Sequence, residues 1–168
     1  MHSAALGELL TARALWILKQ NAATPAISAA TNALVEGYDS ESLRELAAAS
    51  PVINVFQLGT LIVDALSSLG IAAGTMTRED AQLAATHYYA SQVLAGNLRI
   101  RELTRWVHRT IGHEGHPVAQ ELVNLDDAYD AYDDGWGEEP NAMQVITRFV
   151  DAACPELKRW TRTGTANQ

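Results

Sequence analysis

Residues 122–136 read LVNLDDAYDAYDDGW, the most informative segment of this 168-residue chain. Its apolar and aromatic residues recur at steps of three and four: Leu122, Leu125, Tyr129, Tyr132 and Trp136. Side chains at this spacing lie on one face of an α-helix. Aspartates occupy the neighbouring faces: Asp126, Asp127, Asp130, Asp133 and Asp134. The segment therefore predicts an acidic helix with an aromatic face, which needs a core, a partner or a cation to explain it.

Helix start and stop signals continue on both sides of this segment. Thr24 precedes Pro25 as a predicted N-cap, Ser40 precedes a short apolar helix, and Thr77 with Asp80 resembles a capping box. The predicted helices cover residues 4–20, 25–36, 41–49, 52–69, 78–95, 98–111, 118–134 and 141–153. No period-two run of β-branched residues is long enough to require a sheet. The sequence predicts an all-α fold, a single compact bundle of seven to eight helices.

Composition is that of one globular domain. Apolar residues make up 48% of the chain and charged residues 19%, which favours a folded chain over a disordered one. We expect one helical domain over residues 1–160, with a terminal turn from Pro155 and a frayed polar tail at 161–168. The apolar segment 52–69 is interrupted by polar residues, so it predicts the central helix of the core and not a membrane span. Cys154 is the only cysteine, and with no visible secretory signal the expected compartment is the cytoplasm.

The negative charge is local. The formal net charge is −8, yet residues 110–147 alone contribute −9, because they contain nine acidic residues and no Lys or Arg. The rest of the chain is nearly balanced, with 12 basic and 11 acidic side chains. A concentrated acidic surface favours a basic protein partner, and the net charge disfavours nucleic acid.

A row of arginines precedes the acidic helix. Arg101, Arg105 and Arg109 follow each other at helical spacing, opposite part of an apolar face. Helices joined by a short loop pack as antiparallel neighbours, so we favour docking of this row against the acidic helix. A phosphate or nucleic-acid contact is the alternative.

Histidines cluster in the loop between these two helices. His108, His113 and His116 lie close in sequence, but Pro117 stands where HExxH would require the second histidine. The single cysteine also excludes the HxE…PCxxC pattern. We therefore predict no metal site, no cofactor and no catalytic residue. His113 and His116 are the nearest candidates for a metal ligand.

Two polar residues fall on apolar helix faces. Arg13 either packs its stem and extends its head to the edge, which is the favoured reading, or is buried and paired with a carboxylate such as Asp64. His87 lies on an apolar face and is interpreted as a hydrogen-bonded core residue.

Two short motifs resemble a known kind of protein. Residues 43–47 read LRELA and are followed by Ser50-Pro51, and residues 125–130 read LDDAYD. Together they resemble a family of small all-helical bacterial proteins with an LRELA helix and a late acidic-aromatic helix. The resemblance covers about residues 39–137 and implies an all-α protein of the bacterial cytosol. It implies no activity and no site residue.

The leading functional prediction is a non-catalytic interaction protein, such as an immunity protein, antitoxin or inhibitor. The predicted interface residues are Asp126, Tyr129, Asp130, Tyr132, Asp133, Asp134 and Trp136. The alternative is a small enzyme that uses a divalent metal at His108, His113 and His116 or at Asp126, Asp130 and Asp133. A third possibility is a helix-turn-helix DNA-binding protein built on residues 43–61, which the net charge disfavours.

Overall fold

Every regular element of the described chain, residues 3–161 of the computed structural model, is helical. The eight α-helices are α1 (Ala4–Ile17), α2 (Ala23–Val35), α3 (Glu41–Ala47), α4 (Val55–Ser68), α5 (Arg78–Leu94), α6 (Ile100–Thr110), α7 (Gln120–Asp133) and α8 (Ala142–Thr161). Short 3₁₀ helices at Ala73–Thr75 and Pro117–Ala119 lie in the connections. The predicted all-α fold with seven to eight helices is confirmed.

The described residues form two compact units. The first contains the chain up to Ala81 together with the end of α8 from Lys158, and the second is residues 82–157. The boundaries fall inside α5 and α8. The single domain expected over residues 1–160 stays a prediction. The polar tail expected at 161–168 lies, from residue 162, outside the described residues.

Alanine forms much of the buried surface of α2 in the first unit. Ala26, Ala29, Ala30 and Ala33 are fully buried, and α2 contacts both α1 and α3. Small side chains at a helix contact let the two axes approach closely. Larger side chains complete this core from the other helices: Leu9, Leu43, Leu46, Ile62 and Leu66.

Side-chain caps fix several helix starts. The Ser40 hydroxyl accepts the backbone N–H of Leu43 at 3.0 Å, as predicted. Thr77 and Asp80 exchange backbone-to-side-chain hydrogen bonds of 2.8 and 3.1 Å, so the predicted capping box is also confirmed. The prediction of Thr24 as an N-cap is wrong, because α2 begins at Ala23. Pro25 then falls in the first turn, where backbone N–H groups lack partners within the helix.

The helix α4 is shorter than predicted. It begins at Val55, because the Asn54 side chain accepts the backbone N–H groups of Phe56 and Gln57. Val52 and Phe56, two apolar residues of the segment predicted to be the central core helix, are exposed. In the part of the chain that the structure describes, no helix is long and apolar enough to span a bilayer.

Arg13 is buried in the first unit, but its partner is a backbone carbonyl. Its Nε–H donates to the Ala73 carbonyl at 3.3 Å, and its guanidinium lies 4.9 Å from the centre of the Trp16 ring. Asp64 is exposed, so neither predicted alternative describes the side chain. Burial lowers the pKa of Arg13.

The second unit has its own hydrophobic core. Helices α6, α7 and α8 contribute its largest fully or nearly fully buried side chains: Leu103, Val107, Leu122, Val123, Ile146 and Phe149. This core holds α6 and α7 in position.

The last helix passes through Pro155 instead of ending before it. Proline removes one backbone donor from a helix interior. Here Pro155 and the residues beside it, Cys154 and Glu156, are exposed. The buried face nevertheless continues at helical spacing through Ala153 to Trp160. The predicted helix end at residue 153 is therefore wrong, since side-chain burial continues past the proline.

Candidate functional site

The helices α6 and α7 lie against each other in opposite directions, joined by residues 111–119. Arg101, in the first turn of α6, contacts carboxylates as far along α7 as Asp133. His108, in the last turn of α6, contacts Asp126 and Asp127, nearer the start of α7. The short connection therefore sets which side chains of α6 face which aspartates of α7.

Asp126 is the buried centre of these contacts, with a side chain that is 7% exposed. Arg101 Nη1 donates to its Oδ1 at 2.9 Å and to its backbone carbonyl at 3.3 Å. Nδ1 of His108 lies 2.9 Å from its other oxygen, Oδ2. A carboxylate taken out of water needs such partners on both oxygens, because an unpaired buried charge is costly.

The Arg101 side chain also contacts two exposed aspartates of α7. Its Nη2 lies 2.5 Å from Asp130 Oδ1 and 3.8 Å from Asp133 Oδ2. Its guanidinium also lies 5.0 Å from the centre of the Tyr129 ring. Burial, with a contribution from Glu139, raises the pKa of the Tyr129 hydroxyl. Of the predicted arginine row, Arg101 is thus the member engaged with α7.

His113 and Asp127 lie beside His108, at the end of the α6–α7 contact that is open to solvent. Nε2 of His113 lies 3.1 Å from Asp127 Oδ2, and Nδ1 of His108 lies 3.5 Å from Asp127 Oδ1. The two imidazole rings meet edge to face, with centroids 5.1 Å apart. One ligand atom from each of the three residues lies within 4.8 Å of the other two. We call these three residues the His-His-Asp trio.

His116, the other predicted metal candidate, lies elsewhere in the second unit. Its Nδ1 accepts the backbone N–H of Val118 at 3.2 Å, and its Nε2 lies 3.3 Å from Glu156 Oε2. The predicted histidine cluster is therefore divided: His108 and His113 lie beside aspartates of α7, and His116 lies beside Glu156 of α8. Sequence spacing does not identify Asp127 as a neighbour of the histidines, because this residue lies on the next helix.

The end of α7 and the following loop form an exposed surface. Every residue from 131 to 139 is exposed, including Tyr132 at 41% and Trp136 at 75%. We call the following residues the acidic–aromatic surface: Tyr132, Asp133, Asp134, Trp136, Glu138 and Glu139. By contrast, Asp126 and Tyr129, both predicted to be interface residues, are buried. The aromatic face of the sequence is thus divided, with Leu122, Leu125 and Tyr129 in the core.

A glycine turn ends α7 and places Trp136 beyond the helix. Gly135 has a φ of 87°, a conformation that glycine adopts without strain. Its N–H donates to the Tyr132 carbonyl at 3.0 Å, and the Trp136 N–H donates to the Ala131 carbonyl at 2.8 Å. These two bonds define a Schellman motif. The motif fixes the backbone from which the exposed indole extends.

Arg105 and Arg109 do not reach the acidic helix. Both are exposed and line an open surface groove of about 410 Å³ on α6. Trp106 and Tyr89 form part of its wall, with ring centroids 4.9 Å apart. The second half of the arginine row therefore faces solvent.

The helices considered for DNA binding differ from a helix-turn-helix. Helix α3 ends at Ala47 and α4 begins at Val55, so seven residues connect them. A helix-turn-helix uses a turn of three to four residues.

No protein family, curated protein or solved structure matches the chain. The resemblance to small bacterial helical proteins stays a prediction.

Proposed function

We propose that this chain is an interaction module that binds a basic protein partner through the acidic–aromatic surface, in the manner of an inhibitor, antitoxin or immunity protein. The observation that supports this most directly is the exposure of Tyr132 and Trp136 beside Asp133, Asp134 and Glu138. Large aromatic side chains concentrate the binding energy of protein interfaces. Carboxylates around them accelerate encounter with a positively charged partner.

Charge complementarity defines the class of partner. The surface lies in the segment that contains nine acidic residues and no Lys or Arg. Arg101 of α6 pairs with Asp126 and Asp130 and lies 3.8 Å from Asp133, whereas Asp134, Glu138 and Glu139 are exposed. The outer carboxylates therefore present their charge to solvent and favour an exposed Lys- and Arg-rich protein surface.

Burial removes two of the predicted interface residues from the surface that a partner would contact. Asp126 and Tyr129 belong to the interior of the second unit, so changing them would alter stability. Tyr132 and Trp136 are the proposed energetic centre. The exposed carboxylates around them are the proposed steering groups.

The test begins with a photoreactive amino acid placed at Trp136 in cells of the native host. The matched control places it at Val52, which is also apolar and exposed. We expect crosslinking to a basic protein from position 136 and not from position 52. Equal crosslinking from both positions would contradict the proposal.

The rate and affinity of association with the purified partner then test the steering carboxylates and the aromatic centre separately. Reversing Asp134, Glu138 and Glu139 to Lys should slow association strongly, and added salt should slow the unmodified pair. Trp136→Ala should cost about 2 kcal/mol, a rise of about thirtyfold in Kd. The matched control changes three exposed glutamates of the first unit to Lys: Glu41, Glu45 and Glu79. If this control slows association equally, net charge and not the proposed surface determines binding.

A further inference from the structure

We propose that the His-His-Asp trio, His108, His113 and Asp127, binds a divalent transition-metal ion such as Zn²⁺. The inference goes beyond the proposed interaction surface and uses different ligand atoms. It also differs from the sequence prediction, which found no metal site and named His113 and His116 as the nearest candidates.

The positions of the donor atoms carry the proposal. Two histidine nitrogens and one carboxylate oxygen lie within 4.8 Å of one another. Ligands about 2.1 Å from a common zinc ion are separated by about 3.4 Å at tetrahedral angles. The 3.1 Å separation of His113 Nε2 and Asp127 Oδ2 already satisfies this requirement. The remaining pairs both include His108 and lie within 4.8 Å, so binding of the ion requires the exposed His113 and Asp127 side chains to rotate toward His108.

The three ligands come from two helices and the loop between them. His113 is exposed and follows Gly112, which has a φ of 68° at the end of α6. His108 and Asp127 are held by α6 and α7. Two ligands thus lie on packed helices, and the third lies in the loop that follows α6.

Asp126 acts as a positioning residue for His108. Its Oδ2 lies 2.9 Å from His108 Nδ1, and Arg101 Nη1 holds its other oxygen at 2.9 Å. Metal-binding histidines usually donate one ring N–H to a carboxylate, which fixes the tautomer and orients the other nitrogen. In the tautomer whose Nδ1 proton is directed at Asp126, the lone pair of His108 is on Nε2, and this nitrogen would bind the ion. The 3.5 Å contact of His108 with Asp127 is made by Nδ1, so the imidazole ring would have to present Nε2 to the ion.

The donor set defines the class of metal. Imidazole nitrogens suit Zn²⁺, Co²⁺ and Ni²⁺, whereas Mg²⁺ and Ca²⁺ prefer oxygen ligands. Three protein ligands leave at least one coordination position for water. The exposed carboxylate of Asp127 favours a cation at this point on the surface.

Calorimetric titration of the full chain with Zn²⁺ tests the proposal. We expect one ion per chain, and a large excess of Mg²⁺ should leave the affinity unchanged. His113→Ala and Asp127→Asn should each weaken binding at least tenfold. Both side chains are about half exposed, so these variants should keep the fold, which circular dichroism would verify. Binding of Zn²⁺ to both variants as to the unmodified chain would overturn the proposal.

His116→Ala is the matched control, because this histidine lies in the same loop but pairs with Glu156. It should leave Zn²⁺ affinity unchanged. If instead it weakens binding while His113→Ala does not, the site lies at His116 and the trio is rejected. Several weak equivalents that no histidine variant alters would show adventitious binding only and would also reject the trio.

Nitrogen NMR of the histidine rings identifies the ligands directly. Zn²⁺ should shift one ring nitrogen each of His108 and His113 and leave His87 and His116 unchanged. Asp126→Asn should weaken Zn²⁺ binding about tenfold or more and alter the tautomer signals of His108. If Asp126→Asn lowers the stability of the chain without changing the tautomer signals of His108, then Asp126 has a structural role only. An unshifted His108 ring would exclude this residue as a ligand and overturn the trio.

Discussion

Nη1 of Arg101 lies 2.9 Å from Oδ1 of Asp126, and the aspartate side chain is 7% exposed whereas the arginine side chain is 22% exposed. The pair joins α6 to α7 where the outer surface of the second unit begins. Breaking such a pair from one side leaves a buried charge without a partner, which costs more than the intact pair contributes. His108 shares the other oxygen of Asp126, so the carboxylate links two residues of α6 to one of α7.

The first prediction concerns the Arg101–Asp126 pair. Arg101→Met should lower the free energy of unfolding by about 2–3 kcal/mol, because Asp126 loses its main cation. Arg105→Met, the matched control on the exposed side of α6, should change it by about 0.5 kcal/mol or less. Urea unfolding provides the measurement. A double-mutant cycle with Asp126→Asn should give a coupling of about 1 kcal/mol or more for Arg101 and close to zero for Arg105. Equal coupling for both arginines would contradict the assignment.

Periodicity was sufficient to predict the helices but not which of their faces are buried. Leu122, Leu125 and Tyr129 recur at the same spacing as Tyr132 and Trp136, yet only the first three are buried. The division between buried and exposed residues depends on how far the hydrophobic core of the second unit extends along α7. Tertiary packing sets that extent, so the spacing of residues within the segment does not reveal it. The same reason explains Phe56, an apolar residue that is exposed in α4.

The partners of the charged residues were partly predictable. A short connection implies antiparallel helices, so docking of the arginine row against the acidic helix could be anticipated. The register of the two helices could not be anticipated. Residues 111–119 include a glycine turn and a 3₁₀ helix, and the spacing of apolar residues does not reveal how far such a connection advances the chain. That register pairs Arg101 with Asp126, exposes Arg105 and brings His108 to Asp127.

The second prediction concerns His87 in α5. Burial lowers the pKa of His87 below its ordinary value of 6.5. The unfolded chain therefore binds a proton at a higher pH than the folded chain does, and stability falls as the pH drops from 6.5 toward the lowered value. Above pH 6.5 the group contributes nothing, since it is neutral in both states.

His87→Gln should remove this part of the acid sensitivity. We expect the difference in Tm between about pH 7.5 and about pH 5 to be smaller in the variant than in the unmodified chain. The two proteins differ at one group only, so the other histidines cancel in the comparison. An unchanged difference in Tm would show that His87 is protonated equally well in both states.

The third prediction compares two glycines with opposite expected outcomes. Gly135→Ala should destabilise the chain by about 1 kcal/mol, because alanine is strained at a φ of 87°. Gly7 lies in α1, and an added methyl group there would meet no atom within 4 Å. Gly7→Ala should therefore stabilise the chain by about 0.5–1 kcal/mol through helix propensity. Thermal unfolding measures the change in stability of each variant. Stabilisation by Gly135→Ala would contradict the Schellman motif.

The last prediction concerns the electric field around Trp136. This indole is 75% exposed, Trp16 and Trp106 are partly buried, and Trp160 is buried, so a dissolved quencher reaches Trp136 most easily. When each quenching constant is normalised to that of a free, uncharged tryptophan derivative, caesium ions should quench its fluorescence more strongly than iodide, because the neighbouring carboxylates attract cations and repel anions. Trp136→Phe should remove most of the quenching by either ion.

Salt and charge neutralisation separate this field effect from simple accessibility. Raising the ionic strength to about 1 M shortens the Debye length to about 3 Å, so the normalised caesium and iodide constants should converge. Changing Asp134, Glu138 and Glu139 to their amides should cause the same convergence at low salt, whereas amides at Glu41, Glu45 and Glu79 should not. Equal normalised quenching constants for the two ions at low salt would mean that the indole experiences no excess negative potential. The carboxylates could not then steer a basic partner to Trp136, whatever that partner is.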